Sequence, residues 1–104
     1  MGVIVETMAH SISLAWTAST DSGEAGFSGY NVLRGTVSGG PYVAVNSSPI
    51  SGTSFTDVGP FSGLGPFFYV AESVAGSSVS GYSNEISVSL PPAAPTALVL
   101  VSAV

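Results

Sequence analysis

The sequence predicts an all-β sandwich in which two antiparallel sheets pack face to face. Helical periodicity is almost absent, and turn-forming glycine and proline recur at short intervals, which is typical of short strands joined by tight turns. The longest aromatic and β-branched run before the C-terminal end, residues 67–74, lies between Pro66 and Gly76 and predicts a central strand. Because several short strands follow one another within residues 1–90, two packed sheets are expected.

Alternation of apolar and polar residues then assigns each strand its inward face. The predicted strands, in chain order, cover residues 3–8, 10–17, 29–34, 42–45, 54–57, 67–74 and 82–90. In the second strand, for example, Ile12, Leu14 and Trp16 share one face and should point inward. The predicted core side chains are Trp16, Tyr30, Phe55, Phe67, Tyr69 and Ile86.

Charge is sparse and excludes several classes of partner. Only 7% of the 104 residues are charged, against roughly 25% in an average soluble domain. The net charge is −5, and Arg34 is the single basic side chain apart from one histidine. One arginine cannot form a basic stripe, so we expect neither nucleic acid nor anionic lipid as a partner. The chain has no cysteine, which excludes disulfides and thiolate chemistry.

Four segments together resemble a fibronectin type III domain of the kind found in secreted bacterial proteins. They are HSISLAW at residues 10–16, GYNVLRG at 29–35, TSFTD at 53–57 and YSNEISV at 82–88. The resemblance covers about residues 3–90. It implies a seven-stranded antiparallel immunoglobulin-like sandwich with no catalytic activity, located outside the cell or on its surface.

One position departs from that family. Such domains place a tyrosine at the start of the sixth strand, and its hydroxyl bonds back to the preceding corner. Here the equivalent residue is Phe67, which has no hydroxyl. We expect packing of Phe61 beneath Phe67 to hold the corner instead, at a loss of about 1 kcal/mol for the missing hydrogen bond.

Residues that carry chemistry do not form a recognisable constellation. His10 is the single histidine and has no acidic neighbour in sequence to orient it as a general base. Asp21 and Glu24 share a loop, but calcium requires six to eight oxygen ligands, so a solvated loop is favoured over a metal site. Arg34 is expected to pair with Glu72 or Glu85, or to contact a ligand. No enzyme activity, metal or cofactor is predicted.

The predicted outward face of the central strand is apolar. Phe68 and Val70 should point away from the core, together with Leu33 of the neighbouring strand. A cluster of exposed apolar side chains indicates a contact surface. The alternative is a semi-exposed sheet face with no partner. A carbohydrate-binding role would require exposed aromatic side chains in a groove, for which Tyr42, Phe27 and Tyr82 are candidates.

The chain ends in an apolar tail. Residues 91–95 (PPAAP) predict a stiff linker, and residues 96–104 (TALVLVSAV) predict an extra strand that is apolar on both faces. Nine residues are too few to cross a bilayer as a helix, which needs about 20, so membrane insertion is not expected. The tail is either the start of a following repeat or a strand that pairs with a neighbouring subunit through Leu98, Val99, Leu100 and Val101.

Two functions are therefore predicted. In the first, the domain is a structural subunit of an extracellular fibre or surface assembly, and copies join head to tail through the added strand. In the second, it is a spacer, an adhesion module or a carbohydrate-binding module of a larger secreted protein. The partner is another copy of the chain in the first case, and other extracellular proteins or glycans in the second.

Overall fold

The computed structural model describes residues 10–104, and all regular secondary structure in that range is β-strand. The strands are β1 (Ile12–Ala15), β2 (Gly29–Gly35), β3 (Val43–Ala44), β4 (Ser54–Asp57), β5 (Phe67–Ala75), β6 (Ser78–Val79) and β7 (Ile86–Val88). The strand expected at residues 3–8 lies outside the described residues. The prediction of an all-β antiparallel fold is confirmed.

Two sheets form the sandwich. The smaller sheet joins β1 and β4, and the larger follows the order β3-β2-β5-β6, with β7 also paired to β5. The pairing of β2 with β5 runs from Gly29↔Val74 to Gly35↔Phe68 and is the longest among the described strands. As the sequence predicts, β5 is the central strand, because β2 lies along one edge of it and β6 and β7 lie along the other.

The final strand is interrupted. The strand expected over residues 82–90 is shortened to β7, and the short strand β6 forms ahead of the predicted range, with residues 80–85 between them in no regular ladder. Serine hydroxyls keep this segment attached to β5: Ser80 Oγ accepts the N–H of Ser73, and Ser83 Oγ accepts the N–H of Ala71, each at 2.8 Å. The expectation fails here because side-chain oxygens take the place of main-chain carbonyls.

The core lies between the two sheets. Its buried members are Ile12, Val32, Phe67, Tyr69 and Leu90, and the partly buried Trp16 and Phe55 pack against them. Tyr30 is also buried. The assignment of Ile86 to the core is wrong, because its side chain is 42% exposed. Ile86 is paired with Tyr69 and so shares its face, but it lies on an edge strand where none of residues 10–104 covers it fully.

The tail leaves the sandwich after Leu90. Leu90 is buried, and its N–H donates to the carbonyl of Leu64 at 2.8 Å. Residues 91–104 are exposed and form no strand, so the extra C-terminal strand of the prediction is not formed within a single chain. The molecule measures 72 × 30 × 20 Å. Since 14 extended residues span up to about 46 Å, the tail contributes to the long dimension.

Candidate functional site

A buried polar cluster joins the two sheets. The carboxylate of Asp57 is buried on β4 and forms an ion pair with Arg34 of β2, with 2.6 Å between Nη1 and Oδ2. The Tyr69 hydroxyl donates to the same oxygen at 2.7 Å, and the N–H of Gly59 donates to Oδ1 at 3.0 Å. The carboxylate is therefore satisfied by three donors, which offsets the cost of burying its charge.

Arg34 uses its remaining groups within the same cluster. Nη2 donates to the carbonyl of Pro60 at 2.9 Å, and the guanidinium carbon lies 4.8 Å from the ring centroid of Phe61 and 5.8 Å from that of Phe67. Both distances fall within the range of cation–π attraction. The expected pairing of Arg34 with Glu72 or Glu85 is wrong. Its partner Asp57 is 23 residues away along the chain, and only the packing of the sheets brings the two together.

The same cluster supplies contacts in place of the corner hydroxyl that Phe67 lacks. Phe61 packs against Phe67 with ring centroids 5.3 Å apart, which confirms the expected contact. A tyrosine hydroxyl is nevertheless present two residues further along β5, at Tyr69, where it bonds to a side-chain carboxylate. Burial, followed by the hydrogen bond to Asp57, raises the pKa of Tyr69 above its usual range. The cluster is thus a structural link between the sheets, with its hydrogen bonds directed inward.

The outer face of the larger sheet is covered by the chain itself. Leu33 and Val70 point away from the core, as the alternation predicts, but they are only 7% and 4% exposed, and Phe68 is half-buried. The expectation that these three residues form an exposed cluster for self-association is therefore wrong. The sequence predicted the face of each residue correctly, but it does not show what lies over that face.

The cover is a bridge between the two edges of the sheet, which we call the Glu85 bridge. Tyr42 precedes β3 at one edge, and Tyr82 and Glu85 precede β7 at the other. Glu85 accepts hydrogen bonds from Ser38 Oγ at 2.6 Å, from the N–H of Gly39 at 2.7 Å and from the Tyr42 hydroxyl. These contacts span the face that holds Leu33 and Val70.

The Glu85 bridge also determines the ionisation of its members. The N–H of Gly39, the hydroxyl of Ser38 and the hydroxyl of Tyr42 hold the pKa of Glu85 below its usual value. The hydrogen bond to Glu85 in turn raises the pKa of Tyr42. Both shifts favour the ionised carboxylate beside the neutral phenol, so the bridge is stable at neutral pH.

The three aromatic candidates for a glycan site do not form a flat platform. Tyr42 and Tyr82 lie 5.3 Å apart with their rings 82° to each other, and Tyr42 is half-buried in the Glu85 bridge. Phe27 is half-buried and packs edge-on against Tyr30 at 5.3 Å. Of the three, only Tyr82 is largely exposed. Each ring is thus engaged by another aromatic side chain.

Asn46, which begins an Asn-Ser-Ser glycosylation pattern, is engaged by the fold. Its Oδ1 accepts the N–H of Val32 at 2.8 Å, and its Nδ2 donates to Asn31 Oδ1 at 3.0 Å and to the carbonyl of Ser48 at 2.9 Å. Attachment of a sugar to Nδ2 would break these contacts. The side chain instead ties the loop after β3 to β2.

A cleft opens between the sheets along one side of the sandwich. It has a volume of about 400 Å³ and lies between β1 and the segment that leads into β7. Its lining residues are Leu14, Ala15, Trp16, Thr17, Val32, Tyr69, Val70, Ala71, Ser83, Asn84 and Ile86. None of these carries a charge at neutral pH. Trp16 Nε1 is buried and has no hydrogen-bond partner among the described residues. The exposed Ile86 lies at the edge of this cleft.

Among residues 10–104, the tail is the most exposed apolar segment. Leu98, Val99, Leu100 and Val101 are 96%, 71%, 83% and 92% exposed. Isolated apolar side chains are common on protein surfaces, but four in succession are not. Residues 98–101 belong to no strand and pair with none of the described strands, so their main-chain N–H and C=O groups can pair with the edge of another strand.

Within residues 10–104 no group of three or more histidine, cysteine or acidic side chains is placed to bind a metal ion. The acidic residues of the loop at 19–28, Asp21 and Glu24, are exposed. The described residues also contain no helix that is long and apolar enough to cross a membrane.

Comparison with known proteins supports the fold. No protein-family model and no curated protein matches the chain. A solved structure, described as a Fn3-like protein from Clostridium thermocellum, superimposes with a TM-score of 0.62 and 28% sequence identity. The match covers 88% of this chain and 88% of that one. The similarity therefore extends over most of the chain and confirms the resemblance found in the sequence.

Proposed function

We propose that this fibronectin type III-like domain is a non-catalytic structural subunit of an extracellular fibre or surface assembly, in which copies join head to tail. The exposed tail is the observation that carries this proposal. In a single chain its apolar side chains at residues 98–101 face water on both sides of the backbone. Burial of one such side chain is worth about 1.5–3 kcal/mol, so burial of all four would offset much of the cost of bringing two copies together.

The tail is suited to strand addition in particular. A strand that is apolar on both faces needs cover on two sides as well as a hydrogen-bonded neighbour, and an open sheet edge over an apolar core supplies both. Residues 91–95 contain Pro91, Pro92 and Pro95, which favour an extended polyproline conformation of about 3.1 Å per residue. The linker thus holds the tail away from its own domain.

The geometry of such a contact favours a filament. The tail of one copy would bind a different surface on the next, so the interface is heterologous and repeats without closing unless the rotation forms a ring. With only 7% charged residues, electrostatic repulsion between copies is weak. An extracellular location is part of the proposal and rests on the resemblance to domains of secreted bacterial proteins.

The arrangement of titratable groups favours a non-catalytic role. Catalysis by a general acid or base requires a positioned group that can reach a substrate. The buried cluster of Arg34, Asp57 and Tyr69 directs its hydrogen bonds inward, and Glu85 is engaged by three donors of its own chain. These groups stabilise the sandwich and its sheet face.

The second candidate is a spacer, adhesion module or carbohydrate-binding module of a larger secreted protein. An exposed Tyr82 and a tail that opens with Pro95 are compatible with it, because repeats of this type commonly begin with a proline-led strand. The two candidates differ in oligomeric state, since a spacer should be monomeric.

Deletion of residues 91–104 tests the proposal. The full chain is expected to form multimers at micromolar concentration by light scattering, and filaments by electron microscopy, whereas the shortened chain is expected to be a folded monomer. The free energy of unfolding of the shortened chain serves as the control for folding. A monomeric full chain, or filaments that persist after the deletion, would contradict the proposal.

A further inference from the structure

We infer that the acceptor for the tail of a second copy is the outer edge of β4, the edge that faces away from β1. This inference rests on the proposed function and names its binding site. It follows from three features: the direction of the main-chain groups of β4, the incomplete cover of the core on that side of the sandwich, and the chemistry of the tail.

Every second residue of β4 points its main-chain groups away from β1. The N–H of Trp16 donates to the carbonyl of Thr53 at 2.9 Å, and the register of β1 with β4 continues from this pair. In an antiparallel pair the direction of these groups alternates along the strand, so the N–H and C=O groups of Ser54 and Thr56 point to the outer edge. No strand within residues 10–104 pairs along that edge.

The first strand of the sandwich does not compete for this position. In immunoglobulin-like sandwiches the first strand pairs with the second, so the strand predicted at residues 3–8 is expected beside β1, on the far side from β4. Immunoglobulin constant domains carry an additional strand next to the equivalent of β4, in the sheet order A-B-E-D, where β1 corresponds to B and β4 to E. The architecture therefore accommodates one more strand at β4 without displacing the first strand.

The side of the sandwich to which β4 belongs is the side of β3. The cleft described above lies between β1 and the segment that leads into β7. Since β3 and β7 lie on opposite sides of the β2–β5 pair in the larger sheet, β4 lies toward β3. A strand added to β4 would therefore run between β4 and the β3 edge of the other sheet.

The core is incompletely covered between β3 and β4. Val43 is paired with Arg34, whose side chain bonds to the buried Asp57, so Val43 shares the inward face. Its side chain is nevertheless 70% exposed. Val45 and Phe55 pack against the core on this side and are only partly buried. An added strand would place every second side chain among these residues, because side chains alternate between the two faces of a sheet.

The chemistry of the tail suits this opening. Arg34 and Asp57, the charged groups next to it, are paired with each other at 2.6 Å. Residues 91–104 contain no charged side chain that would have to be desolvated. Residues 98–101 alternate leucine and valine, so a shift of the register by one residue still presents branched aliphatic side chains to the core.

A proline substitution at the outer edge tests the acceptor. In Ser54→Pro the N–H that points away from β1 is removed, while the hydrogen bonds between β1 and β4 are kept. Ser54→Ala is the matched control, because it removes the same hydroxyl and keeps the N–H. We expect Ser54→Pro to weaken assembly by at least tenfold in apparent affinity, measured by light scattering, and Ser54→Ala to assemble as the wild type does. If Ser54→Pro folds and assembles normally, the inference is overturned.

Disulfide trapping gives a second test that does not depend on the proline variant folding. The chain has no cysteine, so Thr56→Cys introduces the single thiol of one protein. A second set of proteins carries one cysteine at each of positions 97–103. The two proteins are mixed, assembled and oxidised, and the cross-linked peptides are identified by mass spectrometry. A disulfide requires Cα atoms about 4.4–6.8 Å apart, so a tail beside β4 should cross-link to position 56 at one or two neighbouring positions.

Ser13→Cys is the matched control for trapping. Ser13 of β1 is paired with Thr56, and their hydroxyl oxygens lie 3.1 Å apart, so the two side chains share one face of the sheet. A tail beside β4 lies two strand spacings from Ser13, about 9–10 Å, which is beyond the reach of a disulfide. Cross-links to position 13 with none to position 56 would overturn the inference.

The other occupant to be tested is the tail of the same chain. A protein that carries both Thr56→Cys and one tail cysteine reports it as an intrachain disulfide at concentrations where the protein is monomeric. If that intrachain bond forms and the assembled protein shows no bond from position 56 to the tail of another copy, the inference is overturned.

These outcomes separate the inference from the proposed function. If the full chain assembles, the tail deletion abolishes assembly and Ser54→Pro has no effect, the tail is a donor but β4 is not its acceptor. If the full chain is monomeric, both the proposed function and the acceptor are rejected together.

Discussion

The hydroxyl of Tyr69 on β5 donates a 2.7 Å hydrogen bond to Oδ2 of Asp57 on β4, and so links the two sheets through the core. Arg34 bonds to the same oxygen at 2.6 Å. The three side chains come from three different strands. Their contact is therefore sensitive to the relative position of the sheets, and its removal should weaken the packing between them.

Tyr69→Phe should lower the free energy of unfolding by about 1.5–3 kcal/mol, the range for a hydrogen bond to a charged group. Asp57→Ala should cost about 3 kcal/mol, since it leaves Arg34 without its partner. The Arg34 side chain is 20% exposed, so water can relieve part of this loss. Urea unfolding measures both. Tyr82→Phe is the control, because Tyr82 is exposed, and equal effects at Tyr69 and Tyr82 would contradict the assignment.

The Glu85 bridge should make stability depend on pH on the acid side. Its hydrogen bonds hold the pKa of Glu85 below the usual value of 4.5. A carboxyl with a lowered folded pKa contributes stability above its unfolded pKa, and that contribution is lost as the pH falls through the folded value. Wild type should thus be more stable than Glu85→Gln at pH 7, and the difference should shrink below about pH 4.5. Urea unfolding midpoints of both proteins from pH 7 to pH 3 measure this difference in stability. A difference that stays constant over that range would contradict the prediction.

Gly29 should not tolerate a side chain. Its φ is +134°, and a Cβ there would lie 2.4 Å from the main-chain oxygen of Ile50, which is hydrogen-bonded to Tyr30. Gly29→Ala should therefore destabilise by more than about 2 kcal/mol. Gly52→Ala is the matched control, because a Cβ at Gly52 meets no atom within 4 Å, and it should change the unfolding free energy by less than about 0.5 kcal/mol. Similar effects of the two substitutions would show that the contact with Ile50 is unimportant.

Asn46 should stabilise the loop after β3. Asn46→Ala leaves the N–H of Val32 without its acceptor, which should cost about 1–3 kcal/mol. Asn84→Ala is the comparison, since Asn84 is exposed and should have little effect. Urea unfolding of the two variants measures the difference. In a glycosylating host, occupancy of Asn46 should be low, which mass spectrometry of the secreted protein can verify.

Charges in the tail should separate assembly from folding. Leu98→Asp combined with Leu100→Asp should abolish multimers in sedimentation velocity experiments, because two carboxylates cannot be buried in the apolar interface that the proposed assembly requires. The unfolding midpoint should stay the same, since both side chains are exposed in the single chain. Val37→Asp combined with Val79→Asp adds the same charge at exposed positions outside the tail and should leave assembly intact. Loss of assembly in both double variants would indicate a general effect of charge.

Alternation within each strand made much of this fold predictable. The residues of β5 divide as expected into an inward set that includes Phe67 and Tyr69 and an outward set that includes Phe68 and Val70. The bounds of β4 coincide with the predicted residues 54–57. The period of two along a strand and the flanking turn residues are local features, and they can therefore be recognised without knowledge of the partners.

Contacts between distant strands were decided by the tertiary structure. The sequence alone determined that Leu33 and Val70 face outward, but burial of that face depends on Glu85 and Tyr42, which lie 43 residues apart and meet only across the finished sheet. The partner of Arg34 and the exposure of Ile86 were decided in the same way, by sheet packing and by position on an edge. The direction of each side chain along a strand is set by the local alternation of residues. Which side chains are buried, and which residues they contact, is set by the strands that the fold brings side by side.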